Sequence, residues 1–338
     1  MKRSIIVGAA LAVVAAVPAW AGPTLEKAKK LDAIVCGVSP GTEGYSAADS
    51  TGKYKGFDVD MCRAMAAAIL GNSEKVKYVP LTAQQRFTAL QSGEVDVLSR
   101  QTTVTQQRDT ALGLNFAPVV YYDGQGFMVA SKLGVKSAKE LNGATVCVSP
   151  GTTTELNLAD YFRSNKMDFK PVVIEDQNEV RAAFFAGRCD VFTTDASALA
   201  SVRATKAQNP GEYVILPEII SKEPLAPVVR HGDDEWFDMV KWVIYGLVEA
   251  EEYGVTQANA DQMLKSDNPT IKRLLGATPG MGKNLGLDEQ YMLRAIKQVG
   301  NYGEIFERNL GKGSALKLDR GLNALWTKGG LMYAMPFR

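Results

Sequence analysis

Cys36-Gly-Val-Ser-Pro-Gly-Thr42 returns later in the chain as Cys147-Val-Ser-Pro-Gly-Thr152. A second phrase, Ala89-Leu-Gln-Ser-Gly-Glu-Val-Asp96-Val, returns as Ala183-Phe-Phe-Ala-Gly-Arg-Cys-Asp190-Val, in the same order. Two short elements repeated in order predict two similar α/β lobes, and the cleft between two lobes suits a small molecule. The repeat occurs only twice and at unequal spacing, which argues against a solenoid.

Working outward from these phrases, the chain spells strands alternating with helices. Residues 34–39 read as a buried strand, and Gly52-Lys-Tyr-Lys-Gly56 as a hairpin tip. Residues 58–70 read as a helix, with Met61, Met65 and Ile69 on one apolar stripe. A strand over 76–81 follows. Thr82 and Gln85 then form a capping box for a helix that turns Phe87 and Leu90 inward. Gly93 closes that helix before a strand over 95–99. The second lobe repeats the grammar: strand 145–149, a helix opened by Thr152 with Glu155, strand 172–175, helix 179–186 and strand 190–194. Residues 236–248 form a strongly amphipathic helix. Such alternation predicts a mostly parallel sheet flanked by helices in each lobe. Ligands then sit beyond the carboxyl ends of the strands, which places 39–42, 99–105, 149–154 and 193–195 around the cleft.

Residues 1–21 read as an export signal that is removed. Lys2 and Arg3 precede an apolar run from Ile5 to Val17, and Ala19-Trp-Ala21 is a small-x-small cleavage site. The run is short for a membrane anchor. Taking Lys2 and Arg3 from the 38 basic side chains leaves 36 against 37 acidic ones, a net charge of about −1. That balance gives no electrostatic reason to bind nucleic acid. The 317 residues left from 338 after removing 21 can fill two domains. Cys36, Cys62, Cys147 and Cys189 are an even set in an exported chain, which favours disulfides. Of the three possible pairings, 36–62 with 147–189 keeps each bridge inside one lobe; the other pairings, and four buried thiols, remain open. No Cys-x-x-Cys occurs and His231 is the only histidine, so no metal site is expected.

Gly56-Phe-Asp-Val-Asp-Met61, followed by Met65, Ala66 and Ile69, resembles the signature of the extracellular solute-binding proteins that serve ABC transporters, in the branch for polar amino acids. Later landmarks fall in order over nearly the whole mature chain: Leu90 to Asp96, Thr105 and Arg108, Gly151 to Thr153, and Asp190 to Asp195. Val299-Gly-Asn-Tyr-Gly-Glu-Ile-Phe-Glu307 and Gly330-Leu-Met-Tyr-Ala-Met-Pro-Phe-Arg338 resemble the longer, general L-amino-acid-binding subfamily. The resemblance implies a type II periplasmic binding-protein fold. Lobe one is then 22–122 plus 225–338 and lobe two 123–224, with a two-strand hinge crossed near 121–124 and 221–227. It also implies a monomer without a cofactor, which captures an L-amino acid in the periplasm, closes, and is recognised by an inner-membrane permease.

A free amino acid is a zwitterion, and burying it unpaired is prohibitive. Its carboxylate needs a guanidinium fork and N–H donors at a helix start, and its ammonium needs a carboxylate. The resemblance assigns the carboxylate to Arg108 and Thr153, with Thr154 beside them, and the ammonium to Asp195. Taken alone, Arg108 reads as a solvated surface charge and Asp195 as a cap of the following helix. Relatives carry two serines where this chain has Arg100 and Gln101, with Thr103 at another contact position. Gln101 and Thr103 can still donate to a carboxylate or accept from an ammonium. Arg100 pairs either with an acidic ligand side chain or, structurally, with Asp96 or Glu94. Relatives that prefer basic amino acids place a carboxylate where this chain has Ser39. The stacking aromatic aligns with Thr42, leaving Tyr45 as its nearest substitute. Together these changes imply a broad or polar-to-acidic range rather than a dedicated basic one.

Ala277-Thr-Pro-Gly-Met-Gly-Lys283-Asn284 nearly spells a phosphate-binding loop, but it lacks the final Ser/Thr and follows a helical run rather than a strand. His231, in Arg-His-Gly-Asp-Asp, reads as a surface turn, so a Ser-His-Asp relay has no base to work with. Asp58 and Asp60 suit the start of a helix and are explained by its dipole. The rival reading is an exported dehydratase or lyase of the same fold, using Arg100 or Glu43. A soluble amino-acid sensor is a third.

Overall fold

The computed structural model describes residues 22–338, so the export signal expected over 1–21 lies outside the described residues. In chain order the strands are β1 (Ile34–Val38), β2 (Ala47–Ala48), β3 (Tyr54–Lys55), β4 (Val76–Pro80), β5 (Val97–Leu98), β6 (Leu114–Phe116), β7 (Tyr121–Asp123), β8 (Gln125–Ala130), β9 (Thr145–Val148), β10 (Lys170–Val173), β11 (Val191–Asp195), β12 (Tyr213–Ile215), β13 (Glu223–Leu225) and β14 (Val228–Arg230). The helices that matter here are α1 (Pro23–Leu31), α2 (Phe57–Leu70), α3 (Gln85–Gln91), α4 (Gln106–Ala111), α5 (Thr153–Ser164), α6 (Gln177–Phe185), α7 (Ala196–Thr205) and α8 (Asp234–Glu252).

Two five-stranded sheets carry the fold, ordered β4-β1-β5-β14-β6 in lobe one and β10-β9-β11-β8-β12 in lobe two. The expected mostly parallel arrangement holds for β4-β1-β5 and β10-β9-β11. Beyond them the sheets turn antiparallel, at β14 and at β8. The cause is the route of the chain. It crosses between lobes at the cleft, beyond the carboxyl ends of the parallel strands. The first strand after each crossing therefore starts at that end and runs backwards. β1 is buried throughout, as a central parallel strand with both faces covered must be.

The repeated phrases occupy matching places. Asp96 accepts from Val35 N at 2.9 Å and returns its own N–H to Val35 O at 2.8 Å. Asp190 makes the same exchange with Thr145, at 2.8 and 3.0 Å. The cysteines do not match. Cys36 pairs in register with Val97, whereas the residue opposite Val191 is Val146, not Cys147. One residue of slip turns a side chain to the other face of a sheet. Cys36 is accordingly bonded to Cys62 of α2, and Cys147 to Cys189 before β11.

α2 is buried on nearly every side, not along one stripe. The sheet covers one flank; α8 and the C-terminal helix Tyr291–Val299 cover the others. α8 and that helix approach so closely at Gly246 that a Cβ there would lie 2.5 Å from Met292 Cε. Asp60 in the first turn of α2 accepts from Arg308 Nε at 2.9 Å and Asn309 Nδ2 at 2.7 Å, anchoring the C-terminal segment to lobe one. Gly56 opens α2 at φ 135°, where a Cβ would meet Tyr45 O at 2.2 Å, so the residue before Phe57 has to be glycine.

Between the lobes, β7 and β13 form a two-stranded antiparallel ribbon in which Asp123 faces Glu223. The free edge of β7 is taken by a side chain from the C-terminal segment. Asn323 accepts from Tyr122 N at 2.6 Å and donates to Tyr122 O at 3.2 Å, as a third strand would. The near phosphate-binding loop is filled by the chain itself: Gly280 N and Gly282 N donate to Glu289 Oε2 at 2.9 and 3.1 Å. His231 is exposed at a turn.

Candidate functional site

Loops at the carboxyl ends of β1, β5, β9 and β11 face one another, and a cavity of about 60 Å³ lies between them. The two walls touch directly. From lobe two, Arg181 Nη1 donates to Gly41 O at 2.5 Å and Nη2 to Thr42 Oγ1 at 3.2 Å. Ser39 donates to Gln177 Oε1 at 2.8 Å, Tyr45 to Ser197 Oγ at 2.7 Å, and Ser201 to Glu43 O at 2.8 Å. These bonds define a closed form.

Arg108 is not the solvated surface charge of its isolated reading. Thr105 caps α4 by accepting from Arg108 N, and the guanidinium folds inward over the Phe87 ring, 5.1 Å from its centre. It donates to Thr103 O at 2.9 Å, just behind the residues that line the cavity. Burial pulls its pKa down, against the opposing pull of Glu223 and Asp195. Asp195 ends β11 and lines the cavity. Its carboxylate does not cap α7. Asp123, from the hinge ribbon, accepts from Ser197 N at 3.4 Å and from its hydroxyl instead. Burial, then Asp123 and Glu223, push the Asp195 pKa well up, with Arg86 and Arg108 pulling the other way. A positive charge placed beside Asp195 would relieve that strain.

Thr103 and Thr153, from opposite walls, both line the cavity and both donate to one oxygen, Glu223 Oε2, at 2.6 and 2.8 Å. Thr154 also lines it and is held by Gln125 Nε2 donating to its carbonyl at 3.0 Å. Gln101 reaches the wall in a left-handed conformation, φ 42°. Arg100 lines the cavity and donates through Nε to Leu81 O at 2.8 Å. Its proposed structural partner Asp96 is taken by Lys27, at 2.7 Å.

Two expected residues besides Arg108 stand behind the wall. Ser39 is fully buried beneath Thr42, its hydroxyl 3.0 Å from Thr42 Oγ1. Tyr45 is buried in the lobe-one core, edge-on to Phe57 and Tyr121. The tight turn in which Thr42 N donates to Ser46 O, and Ser46 N to Thr42 O, swings the Tyr45 ring inward, so it offers no stacking platform.

Arg86, Arg181, Gln177 and Glu223 were not singled out from the sequence. Arg86 had a readable signal. It sits four residues before Leu90 on α3, hence on the same inward stripe. Arg181 stands four residues after Gln177 on the cleft-facing side of α6. Glu223 carries no local signal at all.

Residues 34–259 match the profile of the bacterial extracellular solute-binding proteins, family 3. The chain is 59% identical to the general L-amino acid-binding periplasmic protein AapJ of Rhizobium johnstonii, with both chains covered in full. It is 56% identical to the glutamate/glutamine/aspartate/asparagine-binding protein BztA of Rhodobacter capsulatus, again over the whole of both. Among solved structures it resembles a periplasmic binding protein of an ABC transporter from Brucella ovis with glutathione bound. That match has 57% identity and a TM-score of 0.91, covering 93% of this chain and 99% of that one.

Proposed function

We infer from its membership of the bacterial extracellular solute-binding proteins, family 3, to which the chain belongs, that it captures L-amino acids in the periplasm and delivers them to an ABC-transporter permease. In this reading 1–21 is a cleaved export signal, lobe one is 22–122 plus 225–338, and lobe two is 123–224. The protein acts as a monomer and catalyses no reaction.

What supports the reading is that lobe two puts Asp195 on the cavity wall while lobe one puts Arg108 just behind that wall, bonded to the carbonyl of the lining Thr103. Arg108, with Thr103 and Thr153, receives the α-carboxylate, while Asp195 receives the ammonium. A zwitterion that satisfies both walls lowers the free energy of the closed form, and one that satisfies a single wall does not. Gln101 and Thr154 complete the polar lining, with Ser39 supporting Thr42 from behind. Glu223 holds the two threonines in place and yields them, wholly or in part, to the incoming carboxylate. The permease then reads the closed shape.

A thermal-shift screen of the mature protein against the twenty amino acids tests this, because binding to the native state raises its apparent stability. Several polar or acidic amino acids should raise the midpoint. A flat response to all twenty refutes the reading, and turnover of a stabilising ligand replaces it with the dehydratase or lyase alternative.

A further inference from the structure

The cavity holds more positive charge than a zwitterion uses. Arg86, Arg100 and Arg181 line it, with Asp195 as the single lining carboxylate among the described residues. Arg181 is committed to the clasp across the cleft, through Gly41 and Thr42. Arg86 and Arg100 are not so committed. Both are buried, at 3% and 4% exposure, and Arg86 Nε and Arg100 Nη2 have no hydrogen-bond partner among the described residues. The bond from Arg86 to Gly151 O is long, 3.5 Å. The acid that pulls most on Arg100 is Asp58, at the start of α2; it accepts from Ser99 at 3.4 Å and makes no hydrogen bond with Arg100. Buried donors left without acceptors are costly, and here they border a cavity, so their acceptor has to come from what enters it.

We propose that Arg86 and Arg100 form a subsite for a side-chain carboxylate, and that the preferred ligands are α-amino acids bearing a second carboxylate. This rests on the amino-acid reading given above. The ligand then meets three charged stations: its ammonium at Asp195, its α-carboxylate at Arg108, and its distal carboxylate at the guanidinium pair. Glutamate and glutamine differ little in shape, so the pair isolates the charge. A guanidinium fork matches a carboxylate at both oxygens, whereas an amide offers one acceptor and brings two N–H groups toward two cations.

Isothermal titration of wild type, Arg86→Met and Arg100→Met with L-glutamate and L-glutamine tests the subsite, with thermal melting of each variant as the check on folding. Wild type should favour glutamate by roughly tenfold or more, and either variant should lose roughly 30-fold on glutamate and clearly less on glutamine. Equal wild-type affinity for the two ligands overturns the proposal without needing a variant, as does an equal loss on both in a folded variant. Wild type that binds no amino acid at all refutes the underlying reading instead.

Discussion

In lobe two, Ser149-Pro-Gly-Thr152 runs straight into α5, with Thr152 accepting from Glu155 N at 3.1 Å. In lobe one, Ser39-Pro-Gly-Thr42 turns back at Ser46 into the β2–β3 hairpin, and α2 begins only at Phe57. The same words are thus followed by a helix start facing the cleft in one lobe and by a turn in the other. The charges differ to match. Lobe one supplies Arg86, Arg100 and Arg108; lobe two supplies Asp195 and Arg181, the latter spent on the clasp to Gly41 and Thr42, and the hinge ribbon supplies Asp123 and Glu223. A duplicated scaffold has been given unlike electrostatic walls, and unlike walls attract a dipolar ligand only when both are near it. The cores differ in size. Lobe one has a small cluster around Leu90 and Leu98 and a large one merged with α8 and the C-terminal helices, whereas both clusters of lobe two are small.

The sharpest way to break this comparison is to neutralise one wall. Asp195→Ala and Arg108→Ala should each weaken amino-acid binding by roughly 3–5 kcal/mol, since the ligand's matching charge is then buried unpaired. Titration calorimetry would show the loss, and circular dichroism should stay unchanged. Wild-type affinity in either variant removes that residue from the site.

The next effect centres on Asp58 of lobe one. Burial raises Asp58 to about 7 from 3.8, against the opposing pull of Ser99, Arg100 and the Gln101 N–H. A carboxyl whose folded pKa is raised binds protons more tightly in the native state, so its stabilising protonation is present at low pH and is lost as pH rises toward 7. Asp123, pushed up to about 6 chiefly by burial, acts in the same direction. Ligand-free protein should therefore lose stability between about pH 4 and pH 7, with roughly 3–4 kcal/mol traceable to Asp58. Asp58→Asn should remove Asp58's share of that slope in denaturant titrations, leaving the part due to Asp123, Asp195 and Glu249, and a slope unchanged by the substitution clears Asp58 of any part in it.

The smallest effect compares the two matching aspartates. Asp96 is fully buried and bonded to Lys27 and Val35 N, whereas Asp190 is exposed beside Thr145. Asp96→Ala should cost about 2–3 kcal/mol, by leaving the buried Val35 N–H without its acceptor and removing the ion pair with Lys27, and Asp190→Ala about 1 kcal/mol or less. Equal costs in chemical denaturation would mean that the two lobes treat the repeated phrase alike.

Much of this was legible because its cause is local. Thr103, Thr153, Thr154, Gln101 and Asp195 lie at or soon after the carboxyl ends of strands, and the carboxyl-end rule for α/β sheets is enough to place them at the cleft. Arg86 was legible in principle, from its spacing to Leu90. Tyr45 misled because alignment along the chain does not say which way a tight turn points a ring. Asp195 looked like a cap because local pattern cannot reveal that Asp123, from another strand, already fills that role.

Residue pattern alone thus determined two α/β lobes and their cleft-facing loops, since hydrophobic period and turn chemistry act over a few neighbouring residues, while Arg108 and Asp195 were singled out by the resemblance to a family. Tertiary structure alone decided that the cysteines of the repeat face opposite ways, that the C-terminal segment encloses α2 and braces the hinge through Asn323, and that Arg86, Arg100 and Arg181 converge on one cavity. Those outcomes depend on which distant surfaces meet, and a side chain's charge or polarity does not encode its direction until packing has chosen its neighbours.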